Sequence, residues 1–315
     1  LHDTLAAAAD GFDLYGDAPA FQDPSVAGEK PSPAGRLLPT TAGEQTRKRN
    51  QDILNPEIAA MRPEIAMLAL AFIQAHSPAG GRGTRTSLTG GGPLRTWVVR
   101  ESLYATVVAN LLPQEEFRAL GTPGGDGLAP LPWRGRITGA RTSANTPPTH
   151  VYFACPRRIL LAEPDAPAPE RACDVTGETN VPLITALRQK AEGPDYDSTS
   201  WRHPLTPYAE RTQKGVTVHF PKLAATLPLD TAWRERTGLF GERRNSKGPT
   251  THPAQAVRCF RDRYARYLEP PVVRVRAFGL RCDNAKVESV VDLPFTFRAL
   301  PSDDPDAIAL FEGYL

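Results

Sequence analysis

No apolar run in this sequence approaches the roughly 20 residues that a bilayer-spanning helix requires. No basic-then-apolar leader opens it either. The chain starts on Leu1 rather than Met and closes on Leu315 inside a helical pattern, so both ends read as truncated. Cysteine is sparse: at least seventeen residues separate neighbours among Cys155, Cys173, Cys259 and Cys282. None forms a C-x-x-C or a Cys/His pair at ligand spacing, which argues against structural zinc. Scattered single thiols in so long a chain fit a reducing cytoplasm, the expected location, better than a disulfide framework. Catalytic signatures are missing too. His76, His203, His219 and His252 lie in separate segments, and there is no G-x-S-x-G elbow. The pair Asp303-Asp304 opens a helical pattern, where carboxylates cap backbone N–H groups. No reaction, metal or cofactor is expected. There is no internal repeat and no βαβ rhythm.

What is present suits a packed, irregular protein. Hydrophobic residues make up 40% and charged residues 23% of the 315, close to globular averages. The 32 prolines and 25 glycines imply many irregular connections. The net charge of +2 conceals a local excess. From Arg258 to Lys286 there are eight basic residues against the acids Asp262, Glu269 and Asp283, which suits an anionic partner on one face. Pro-interrupted sequence fills residues 1–60. A helix is predicted over Pro63–Ala75, with Ile65, Leu68 (or Ala69) and Phe72 at helical spacing. Leu94–Val99 alternates as a strand, and Glu101–Leu112 places Leu103, Val107 and Leu111 on one helical face. Sequence 113–148 reads as loop. Val151–Phe153, Ile159–Leu161 and Val216–Phe220 read as strands, and Pro253–Leu268 as a helix burying Val257, Phe260 and Tyr264. Strands Val272–Leu280 and Val287–Leu293 flank a turn and form a β-hairpin. Asp303–Leu315 begins a last helix. The fold class is α+β, an irregular mixture of helices and short strands.

Two segments have the chemistry to meet a nucleic acid. Ala79-Gly80-Gly81-Arg82-Gly83, with Arg85 beyond it, bares backbone that can approach phosphates or a groove floor closely. It lacks the Lys-Ser/Thr ending of a Walker A loop. A flexible connection and a ligand cradle remain equal readings of it. Asp283-Asn284 is a turn pair, since both side chains tolerate left-handed backbone and bond their own main chain. His203, inside Trp201-Arg202-His203-Pro204, reads as a packed structural histidine.

Four segments resemble one family, the large subunit (CasA) of the type I-E CRISPR Cascade complex. Gln74-Ala75, the glycine loop and Ser87-Leu88-Thr89-Gly90-Gly91-Gly92-Pro93-Leu94-Arg95-Thr96-Trp97-Val98-Val99 resemble its glycine loop and following strand. Trp201-Arg202-His203-Pro204-Leu205-Thr206-Pro207-Tyr208 is similar to its W-x-H-P element. Phe278-Gly279-Leu280-Arg281-Cys282-Asp283-Asn284-Ala285-Lys286 resembles its hairpin, and Phe12-Asp13-Leu14 through Phe21-Gln22 its early F-x-L segment. The order of these segments from Phe12 to Lys286 carries the resemblance more than any one of them.

The resemblance implies a non-catalytic subunit that recognises the protospacer-adjacent motif (PAM) of invading DNA while a guide RNA supplies sequence specificity. A glycine loop suits the minor groove, about 6 Å wide, whose degenerate readout tolerates several motifs. It implies motif contacts from Ala79, Gly80, Gly81, Arg82, Gly83 and Arg85, assisted by Lys190. It implies a wedge at the hairpin, with Arg281, Asp283, Asn284 and Lys286 around its tip. Asn50, Ile53 and Asn55 lie in the loop expected to touch the guide RNA's 5′ end and neighbouring DNA. Implied partners are the guide RNA, duplex target DNA, the backbone, small and 5′-end-binding Cascade subunits, and a recruited helicase-nuclease. Residues 1–298 would form the recognition domain, and 299–315 the linker and start of a C-terminal helical bundle. Three departures stand out. Arg82 sits where relatives often have Gly, Lys190 is two residues further from the W-x-H-P element, and Cys173-Asp174-Val175-Thr176-Gly177 resembles a zinc knuckle that has lost its second cysteine. A nucleotide-binding enzyme using Gly80–Gly83 as a phosphate cradle is the alternative.

Overall fold

The computed structural model describes residues 9–38, 58–76, 78, 85–120, 131–135, 140–141, 152–191, 193–199, 201–213, 215–227, 238–243, 249–264, 267–268, 272–283 and 286–298. In chain order its elements are β1 (Ser32–Pro33), α1 (Pro63–His76), β2 (Arg95–Val99), α2 (Leu103–Ala109), α3 (Gln114–Arg118), β3 (Ala140–Arg141), β4 (Arg158–Leu161), β5 (Ala186–Lys190), β6 (Asp195–Tyr196), β7 (Tyr208–Gln213), β8 (Val216–Pro221), β9 (Thr250–His252), α4 (Gln255–Tyr264), β10 (Val272–Asp283) and β11 (Lys286–Arg298). The class is α+β, as the sequence predicts. The chain divides into two compact units: Leu1–Ser87, Pro123–Tyr196 and Asn284–Glu288 form the first; Leu88–Thr122, Asp197–Asp283 and Ser289–Leu315 the second.

The first unit has little regular structure: the antiparallel sheet β1-β5-β4, the parallel pair β3-β6, and α1. Its core holds Leu37, Met61, Leu70, Ile159, Leu183, Ile184 and Leu187, with an aromatic group of Phe12, Phe21, Trp133 and Phe153 in tilted and edge-on contacts. Loops at this depth need partners for their backbone polar groups, and side-chain amides supply them. Gln22 donates to the Leu14 carbonyl at 2.7 Å and accepts the Leu161 N–H at 2.7 Å. Gln74 donates to the carbonyls of Phe21 and Arg157, each at 2.9 Å, and accepts the Arg157 N–H at 3.1 Å. The same amide therefore fixes Phe21 in its left-handed conformation, φ 61°, which a bulky residue adopts at a cost. Asp174 accepts the N–H groups of Ala59 and Ala60 at 2.7 and 2.8 Å.

The second unit is built on two three-stranded sheets, β11-β10-β2 and β8-β7-β9. Along β10, Val273, Val275 and Ala277 point inward while Arg274 and Arg276 face solvent, the period-two pattern of a half-buried strand. One cluster gathers Val98, Val257, Phe260, Val273 and Val275 with Phe240 stacked on Phe297 at 4.3 Å; another gathers Leu94, Ala224, Leu227, Leu239, Ala277 and Val291. Asn110 imitates a neighbouring strand: its side chain accepts the Val98 N–H at 2.9 Å and donates to the Val98 carbonyl at 2.8 Å.

Several local expectations need correction. Helix α1 buries Ala66, Ala69, Leu70 and Ile73, so of the two predicted alternatives Ala69 faces inward and Leu68 is 68% exposed, while Ile65 and Phe72 are half-buried at the edge of that face. Helix α2 spans only seven residues, and the apolar side marked by Leu103, Val107 and Leu111 is open, at 80%, 50% and 57% exposure. Its start is capped by the Ser102 hydroxyl, which accepts the Ala105 N–H. Helix α4 is shorter than predicted and exposes Tyr264. Tyr152 and Phe153 are helical rather than extended, and α3 interrupts the predicted loop. The predicted helix over Asp303–Leu315 lies outside the described residues.

Candidate nucleic-acid interface

Parts of three of the four resembling segments, residues 88–99, 201–208 and 278–283, lie together in the second unit. Strand β2 pairs antiparallel with β10, with Arg95 opposite Phe278 and Trp97 opposite Arg276. On its other side, Thr96 N–H donates to the Leu205 carbonyl at 2.7 Å, tying in the W-x-H-P element. Arg95, buried, donates to Thr206 at 2.6 Å and Thr89 at 3.1 Å. His203 is buried, packs edge-on to Trp201, and accepts the Leu205 N–H at Nδ1. That is the packed structural histidine the sequence suggests. Arg202 lies over the Tyr208 ring, 5.2 Å from its centroid, and donates to its hydroxyl.

The hairpin itself is long and closely seated. Strands of 12 and 13 residues flank the two-residue connection Asn284-Ala285. Near its far end the second glycine run packs on β10. Gly92 takes φ 64°, and a β-carbon there would stand 2.6 Å from the Leu280 carbonyl oxygen. A β-carbon on Gly279 would stand 2.7 Å from both the Pro93 oxygen and the Ala224 β-carbon. Only glycine permits this approach without displacing backbone. Arg281, half-buried, donates to the Leu227 carbonyl at 2.8 Å. Arg276 and Asp292 form an exposed bidentate pair at 2.6 Å, which holds the Asp292 carboxyl below its usual pKa. Asp283 and Lys286 end the two strands; Asn284 lies outside the described residues.

In the first unit, Arg85 pairs with Asp195 at 2.9 Å, and Lys190, at the end of β5 and five residues before Asp195, lies 3.9 Å from Glu29. Exposed pairs like these contribute about 0–1 kcal/mol, so a phosphate can displace the carboxylates at little cost. Ser87 donates to the Ala75 carbonyl and brings the segment after the glycine loop back to α1. Ala79, Gly80, Gly81, Arg82 and Gly83 lie outside the described residues, as do Asn50, Ile53 and Asn55.

The basic stretch is partly neutralised within its own unit. Arg258 and Arg263 of α4 both turn to Glu116, at 3.9 and 3.3 Å, and Arg261 bonds Asp262 and the Phe240 carbonyl. Sequence reasoning also missed a histidine cluster, because β-register creates it: Glu210 stands opposite His219, and Tyr208 opposite His252. Glu210 lies 3.8 Å from His219 and 3.4 Å from His252, and Tyr208 stacks on His252. Burial, and then the Arg202 charge, lower the His219 pKa below its ordinary value. Among the described residues no group of His, Cys, Asp or Glu is placed to hold a metal ion, and no helix is long and apolar enough to cross a membrane.

Three Cse1/CasA structures share this architecture. "CRISPR-associated protein Cse1 from Acidimicrobium ferrooxidans" superposes with a TM-score of 0.66 at 15% identity, covering 98% of this chain and 57% of that one. A CasA structure from Thermus thermophilus gives 0.62 at 19% identity, covering 99% and 58%. A second structure from that organism, described as CasA (Cse1), gives 0.61 at 19% identity, covering 99% and 61%. The chain thus spans about three-fifths of the length of these relatives. No curated protein matches it. The family model described as CRISPR-associated protein Cse1 matches residues 1–314. With a profile match over nearly every residue and the fold of its solved members, the chain belongs to the Cse1 (CasA) family.

Proposed function

We propose that this chain is a non-catalytic subunit of a guide-RNA-directed type I-E Cascade complex, where it reads the PAM from the minor groove and opens the adjacent duplex. One observation carries the reading: a hairpin of 12- and 13-residue strands, seated on the glycine run through Gly92 and Gly279, whose strands end at the charged residues Asp283 and Lys286. Separating the first base step costs a few kcal/mol of stacking and pairing, and a rigid projection can hold the strands apart until guide pairing begins. Residues of the glycine loop, Ala79 to Gly83, together with Arg85 and Lys190, would meet the groove. Arg281, Asp283, Asn284 and Lys286 would stand at the fork, and Asn50, Ile53 and Asn55 near the guide's 5′ end. Guide RNA, duplex DNA, the other Cascade subunits and a recruited helicase-nuclease are the partners this role requires.

The test compares two targets. In the assembled complex, Asn284→Gly combined with Lys286→Ala should slow R-loop formation on an intact duplex. A target pre-melted beside the motif has that cost already removed, so the variant should open it at near the unaltered rate. R-loop rates read by footprinting decide the matter, and equal slowing on both targets would remove the wedge role.

A further inference from the structure

The first unit contains a cavity of about 290 Å³ whose lining includes three arginines, Arg134, Arg157 and Arg158. Trp133 and Arg158 are buried in it, while Asp17 and Arg134 lie at its exposed rim. Arg157 is fixed from behind by the Gln74 amide, which holds both its N–H and its carbonyl. One terminal nitrogen of its guanidinium donates to the Pro78 carbonyl at 3.0 Å, but its Nε is buried with no acceptor. Arg158 has its nearest carboxylate oxygen, on Asp23, at 3.7 Å, beyond hydrogen-bond range. The other oxygen of Asp23 accepts the Ser25 N–H at 2.9 Å. Arg134 has no ion pair among the described residues.

Buried polar groups are normally satisfied, and a buried donor left open on the half-buried Arg157 asks for an explanation. Burial lowers the Arg157 pKa to about 10, which leaves it cationic at neutral pH with no carboxylate bonded to it. We propose that this cavity binds a phosphoryl group, either inorganic phosphate or the terminal monoester of a nucleic-acid strand. Three arginine side chains lining one partly desolvated space suit the several acceptor oxygens of a tetrahedral oxyanion. The volume lies at the small end for ligand sites. The carboxylates of Asp17 and Asp23 in the lining disfavour a polyphosphate, whose extra charge would face them. The site is separate from the duplex-opening role and does not depend on it.

The probes are inorganic phosphate and a short single-stranded RNA made with and without a 5′-phosphate, titrated calorimetrically into the full chain at low salt. Phosphate should bind saturably, and Arg134→Ala and Arg157→Gln should each weaken it by about tenfold or more. Arg134 is exposed and makes no ion pair among the described residues, so its variant stays informative even if Arg157→Gln does not fold. Tighter binding of the phosphorylated RNA, lost in Arg134→Ala, assigns the group to a strand end. Equal binding of the two RNAs beside saturable phosphate binding assigns it to the free ion. Absence of saturable phosphate binding, or binding unchanged in Arg134→Ala, overturns the proposal.

Discussion

Gln74 serves three backbone groups with one side chain, reaching Phe21 and Arg157, 53 and 83 positions away in the sequence. Replacing it with Leu keeps the volume and removes every one of those bonds. Buried groups left without partners cost about 1–3 kcal/mol each before relaxation, so Gln74→Leu should lower stability by about 2–4 kcal/mol. The measurement is the urea midpoint at unchanged slope. A loss below about 0.5 kcal/mol would show that water replaces the amide. The sequence marks Gln22 and Gln74 only as members of resembling segments. It gives no sign of their work, because an amide's partners are chosen by tertiary placement and not by neighbours. His203 is the contrary case: its setting between Trp201 and Pro204 already suggested packing, and it is buried with Nδ1 accepting a backbone N–H.

The elements show the same limit at larger size. Periodicity located α2 and named its apolar side, yet periodicity cannot say whether anything covers that side. Leu103, Tyr104, Val107, Val108 and Leu111 are all at least 45% exposed. Because these side chains are already largely in water, Leu103→Gln with Val107→Gln should shift the melting temperature of the chain by less than about 2 °C. It should also reduce self-association on size-exclusion, since contiguous exposed apolar surface promotes it. A drop of several degrees would mean the face is covered in solution. The hairpin was legible because its flanking alternation is local, although β10 runs on through Asp283 of the predicted turn pair and Asn284 lies outside the described residues. Its partner strand was not: Phe278 meets Arg95 across most of the chain, and a single sequence holds no record of such pairing. The histidine cluster around Glu210 stayed hidden for the same reason, being made by β7 meeting β8 and β9.

For the molecule as a whole, the order of four modest motifs pointed to the family, and the profile match over residues 1–314 agrees. The division into two compact units had no counterpart in composition, since Pro and Gly punctuate both. A Cascade role has a direct consequence for purification. Expressed with its neighbours, the chain should copurify with a guide RNA and several other subunits in one particle, and target binding should weaken steeply with salt. A stable RNA-free monomer with full target affinity would refute it. The amide clamps bear on mutational drift as well. A sheet spreads its specification over interchangeable peptide groups, so residues on it can change while the inward pattern holds. The first unit concentrates that specification in a few side chains. Asn falls short of the reach of Gln22 and Gln74, and Glu loses the donor. Tolerated variation should therefore be plentiful along the exposed positions of β7 and β8 and scarce at those two glutamines, making the less regular unit the more brittle inheritance.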